Sequence, residues 1–163
     1  MESRAKIFGH AIHPILIVFP LGLLATGVVF DVIYFVSGNP VMELVAFWLL
    51  VAGIIGGLLA APFGWVDWFA IPKNTRAKSV GLVHGLGNTV VLLLFAVSLW
   101  FRWDLPTRPA TLAYVFSFAG AGLAVITGWL GGELVGRLGM AVDNNAHLDA
   151  PSSLSQAVVP RPR

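Results

Sequence analysis

The chain contains no cysteine. Disulfides, covalently attached c-type haem and cysteine-held iron–sulfur clusters are therefore excluded within it, whereas noncovalent haem is not. Charge is the second scarcity. Asp, Glu, Lys and Arg make up 11% of the residues, against about 25% in an ordinary soluble chain. Sustained period-2 alternation is also missing, which argues against a membrane β-barrel, and no stretch reads as a separate soluble domain. No serine, cysteine or aspartate nucleophile stands beside a base in a recognised catalytic motif, so an enzyme acting by itself is the least supported class.

What the chain does have is apolar length. Hydrophobic residues make up 57% and mean hydropathy is +0.83, a composition that needs lipid as its solvent. Four segments, residues 14–36, 41–62, 80–101 and 110–132, are each long enough to cross about 30 Å of hydrocarbon as helix, and a helix satisfies its own backbone there. The expected fold is all-α, an integral membrane four-helix up-down bundle over residues 1–142. Residues 143–163, polar and punctuated by proline, read as a flexible cytoplasmic tail, with His147 solvated inside it. The first segment follows Arg4 and Lys6, as a signal peptide would. Its length and the lack of a convincing small-residue cleavage site suit a retained anchor better.

Basic residues set the expected orientation. Arg4, Lys6, Lys73, Arg76, Lys78 and Arg137 flank one side, and only Arg102 and Arg108 flank the other. This bias places both termini in the cytoplasm. It also accounts for most of the basic pI without invoking nucleic acid, for which no base-reading surface is evident.

The polar chemistry gathers on the terminal side. GHAIHP supplies His10 and His13 one turn apart, ahead of Pro14. GLVHGLGN supplies His84 among Gly81, Gly85 and Gly87, glycines that let another helix approach closely or leave a slot beside a planar cofactor. PFGWVDWFAIP and TGWLGGELVGR bring Trp65, Asp67, Trp129 and Glu133 to a similar level. Either carboxylate could accept the remaining N–H of a ligating histidine, pair with a nearby Lys or Arg, or simply be wet. Asp31 belongs to the opposite leaflet and needs a partner or water at its depth. Each histidine opening an odd-numbered segment, His13 or His84, is followed after a hairpin by a Gly-Trp pair, Gly64-Trp65 or Gly128-Trp129. This is compatible with two parallel helical hairpins related by a pseudo-twofold along the membrane normal; coincidence is the alternative.

GHAIHPILIVFPLGLL, APFGWVDWFAIP, VGLVHGLGNTVVLLLF and GWLGGELVGRLGM, in this order and spacing, resemble the bacterial membrane family catalogued as domain of unknown function 2231. The resemblance covers nearly all of residues 8–142. It implies four transmembrane helices in a bacterial inner membrane and, because members occur beside Rieske-type and other redox modules, a link to electron transfer. The chain departs from the family pattern at Val18 and Leu138, where histidines are common. Those losses leave His13 and His84 as the strongest ligand pair, with His10 as substitute or neighbour.

Three functions remain. In the first, b-type haem is held by His13 and His84, with Gly81 and Gly85 making room and Phe19, Trp65 and Trp129 lining the group, and the protein passes electrons to a redox partner. In the second, His10, His13, His84, Asp67 and Glu133 form a vestibule for a metal ion, proton or small solute, and transport through so narrow a bundle would call for a homo-oligomer. In the third, the chain is a ligand-free structural accessory of a larger membrane complex.

Overall fold

The structure, a computed structural model, describes residues 1–155. Residues 156–163 of the expected tail lie outside the described residues. A two-residue hairpin, β1 (Lys6–Ile7) paired antiparallel with β2 (His10–Ala11), precedes the helices. Its turn, Phe8 at φ 48° and Gly9 at φ 84°, has both central residues at positive φ, the conformation that suits the twist of a tight hairpin. Then follow α1 (Ile12–Leu16), α2 (Val18–Ser37), α3 (Pro40–Ala70), α4 (Arg76–Trp100) and α5 (Thr111–Gly136). Helices α1 and α2 form one apolar span, so four spans of 26, 31, 25 and 26 residues are long and apolar enough to cross a bilayer.

Local chemistry sets the helix ends. Gly38 closes α2 in the left-handed conformation, Asn39 accepts from the Val41 N–H, and Pro40 occupies the first turn of α3, where its missing N–H costs nothing. Thr75 caps α4 by accepting from the Lys78 N–H at 3.1 Å. The sequence places the end of the second span at Pro62, but α3 runs on to Ala70 with Pro62 inside it. A transmembrane helix tolerates such a proline because neighbouring groups and local adjustment can re-satisfy the freed carbonyl.

The helices form an up-down bundle. Helix α2 packs along α3 and α4 along α5, while contacts of α3 with α4 and of α2 with α5 join the two hairpins. Outward positions carry large apolar side chains such as Leu58, Leu59, Leu93, Val125 and Ile126, whereas fully buried positions include Asp31, Glu43, Ser98, Arg102 and Ser117. A water-soluble bundle has the reverse arrangement. The exterior is built for lipid.

The two hairpins also repeat each other. Leu24, Gly27 and Asp31, buried on the first span, have counterparts 71 residues later in Phe95, Ser98 and Arg102, all buried. Ala46, Phe47, Leu50, Gly53 and Ala60 recur 67 residues later as Ala113, Tyr114, Ser117, Gly120 and Thr127, again all buried. Asp31 and Arg102, equivalent positions, bond to each other, as residues beside a shared twofold axis do.

Candidate functional site

Both ends of the described chain meet on one side of the bundle. The Met1 ammonium donates to the Gly139 carbonyl at 2.8 Å, and the Ala141 N–H donates to the Met1 carbonyl at 2.9 Å. Beneath this crossing lies a cavity of about 700 Å³, reaching from Glu2, Met140 and Ala141 at its mouth down to Leu24 and Phe95 in the core. The salt bridge to Lys6 holds the Glu2 carboxyl below the usual carboxylate range. Most of the cavity wall is Gly, Ala, Leu and Val; its polar groups are few, among them His13, His84, Asn88 and Thr89.

The histidines are placed alike. His13 Nδ1 lies 3.0 Å from the Ala60 carbonyl of α3, and His84 Nδ1 lies 2.9 Å from the Thr127 carbonyl of α5. A carbonyl only accepts, so each Nδ1 carries the proton and each Nε2 is left as the basic nitrogen. Each ring rests on a glycine. A Cβ on Gly64 would meet the His13 ring at 3.0 Å, and one on Gly131 would meet the His84 ring at 3.0 Å. Ala60 and Gly64 stand to His13 as Thr127 and Gly131 stand to His84, which is the hairpin repeat expressed at the site. The Asn88 amide nitrogen is 3.3 and 3.2 Å from the two ring nitrogens of His84. It donates one N–H to the His84 carbonyl at 2.9 Å, and its other N–H is within reach of the ring.

The other residues singled out from sequence divide. Trp65, Gly81, Gly85 and Asp67 line the cavity with the two histidines. Gly81 and Gly85 sit against Trp68 and Trp65, whose rings a Cβ would meet at 2.9 and 3.3 Å. Asp67 engages neither histidine: it accepts from Ser3 Oγ at 2.8 and 2.7 Å and from the Arg4 N–H at 2.7 Å, tying the N-terminal segment across the bundle end. Glu133 pairs with Arg76 at 2.6 Å. The ring N–H partners are thus main-chain carbonyls, and both carboxylates bond elsewhere. His10 is exposed and lies 3.1 Å from Ser153 Oγ. Trp129 and Phe19 face outward, 66% and 57% exposed.

A family model described as a predicted membrane protein (DUF2231) matches residues 9–144. The chain belongs to the DUF2231 family. No curated protein and no solved structure matches it.

At the hairpin end this DUF2231 protein holds a second polar cluster. Asp31, Glu43 and Arg102 have fully buried side chains. Arg102 grips Asp31 with two bonds of 2.7 Å and reaches Glu43 Oε2 at 3.0 Å. Sequence reasoning assigned Asp31 to this end and asked for a partner, but read Arg102 only as a flanking charge and passed over Glu43. The hairpin repeat is the signal that pairs them, because Asp31 and Arg102 occupy equivalent positions in it. Among the described residues, no three His, Asp or Glu side chains gather to hold a metal ion.

Proposed function

We propose that the protein binds noncovalent b-type haem between His13 and His84 and serves in membrane electron transfer. The observation that carries this reading is the matched pair of imidazoles, each with Nδ1 held by a main-chain carbonyl and Nε2 left as the basic nitrogen, lining one cavity. A ligating histidine is ordinarily oriented in this way through its second nitrogen. The glycines under the rings seat the imidazoles against the neighbouring helices, and the cavity between them is lined largely by Gly and Ala. Bound there, haem iron would supply one-electron chemistry. The chain's own part is to orient both rings, to exclude water with the apolar lower wall, and to cover the mouth with residues 1–5. The partner is a redox protein or a larger membrane complex docking from the terminal side. Purified protein expressed with ample haem is expected to release about one haem b per chain in a pyridine haemochrome assay; folded protein that takes up none contradicts the reading.

The lining favours a second reading. Because most of the cavity is apolar, a lipid-like solute would be retained better than a metal ion, and the histidine-to-carbonyl bonds would then act only as staples within each hairpin. A haem-free preparation that saturably binds an apolar solute would support it.

We place both termini in the cytoplasm of a bacterial inner membrane. Arg4, Lys6, Lys73, Arg76, Lys78 and Arg137 all lie towards the terminal end, against Arg102 and Arg108 at the hairpin end. Arg102 is wholly buried in an ion pair, which strengthens the asymmetry of free charge. A reporter fused to the C-terminus is expected to behave as cytoplasmic and one inserted at Asn39 as periplasmic; the reverse pattern would invert the site's leaflet.

A further inference from the structure

We propose that the buried cluster at the hairpin end is a binding site for one proton, held on Glu43 Oε1. It is independent of the histidine cavity and of any haem.

The charges do not balance without it. Asp31 from α2 and Glu43 from α3 are two carboxylates facing one guanidinium, Arg102, and all three side chains are fully buried. The remaining groups are neutral: Ser98 on α4, Ser117 on α5, and Tyr114 on α5, whose ring lies 5.1 Å from the Arg102 guanidinium carbon. With both acids ionised, the cluster would carry one uncompensated negative charge in an apolar interior, where isolated charge is strongly disfavoured. Protein covers all three side chains, so no water is available to solvate the excess charge.

Hydrogen bonding says which oxygen takes the proton. A guanidinium has five N–H donors, and Arg102 spends them on Asp31 Oδ1 and Oδ2, Glu43 Oε2, Ser98 Oγ and Ser117 Oγ. Asp31 Oδ2 accepts a further bond from Ser117 Oγ at 3.0 Å. Asp31 is thus fully engaged as an anion. Glu43 Oε1 is buried without a well-formed hydrogen bond, and Arg102 has no donor left for it. The Tyr114 hydroxyl stands beside the Glu43 carboxyl and can accept from a proton on Oε1. Glu43 lies in the first turn of α3, whose positive end favours an anion; the nearby charge of Asp31 and the loss of water work against it. A metal ion is a poorer occupant, because the cluster offers only two carboxylates and the guanidinium already holds three of their four oxygens.

Isotope-edited infrared spectroscopy of the full chain in lipid tests this directly. The chain has three glutamates, Glu2, Glu43 and Glu133, so carboxyl-labelled glutamate marks few groups. At neutral pH we expect a protonated carboxylic-acid carbonyl band that shifts on glutamate labelling, survives in Glu2→Gln and in Glu133→Gln, and disappears in Glu43→Gln. Should Glu43→Gln fail to fold, the band's survival in the other two variants still assigns it. The proposal is overturned if no labelled acid band appears, if the band is lost with Glu2 or Glu133, or if it shifts with labelled aspartate instead.

Discussion

Arg102→Met will destabilise the protein more than any other single substitution in the bundle. It removes the guanidinium from a buried cluster and leaves the Asp31 carboxylate, beside a protonated Glu43, without a counter-charge. Breaking a buried ion pair by deleting one partner costs about 3–5 kcal/mol, a large part of the stability of a small domain. Ser98 and Ser117 also lose a donor each. The effect is measurable as a fall in unfolding midpoint or a loss of membrane-inserted protein. Removing the charges together, in Arg102→Met with Asp31→Asn and Glu43→Gln, is expected to recover much of the loss, because neutral groups of similar size avoid the desolvation penalty. A single variant as stable as the parent would show that the cluster is open to water.

The second large effect falls on ligand content rather than stability. His84→Ala and His13→Ala are each expected to abolish haem binding, and by similar factors, since the two rings are held by equivalent carbonyls and rest on equivalent glycines. His10→Ala is expected to leave haem content unchanged, because that ring is exposed beside Ser153. Each cavity variant also forfeits one hydrogen bond between helices, worth about 1 kcal/mol net. Stability should therefore fall modestly while haem is lost completely. Gly64→Val or Gly131→Val, which leaves the ligand in place but pushes its ring aside, should copy the haem loss. Haem retained in both histidine variants would return the two rings to a purely structural role.

The bilayer fold could be read from the sequence because it rests on long runs of apolar residues, a signal that survives errors of several residues at each end. Pro62 produced such an error: proline breaks a helix in water but sits within α3, which continues through Trp65 and Trp68 to Ala70. His13 and His84 could be named because histidine is scarce here and both open apolar segments. Their partners could not, since Ala60 and Thr127 act through backbone carbonyls that every residue possesses. Asp67 and Glu133 carried the right chemistry at the right level, yet they bond to Ser3 with the Arg4 N–H and to Arg76, a matter of side-chain direction that spacing does not convey. The Glu43–Arg102 contact joins residues 59 apart, one early in its helix and the other just past the end of α4, where both resemble ordinary interfacial charges until the bundle closes over them.

The absorption spectrum of the purified protein, oxidised and then reduced with dithionite, tests the central claim most directly. Two imidazole ligands make a low-spin haem, so the account predicts a sharp Soret band that shifts on reduction together with resolved α and β bands. A featureless visible spectrum from folded protein, after expression with ample haem and incubation with added haemin, would contradict it.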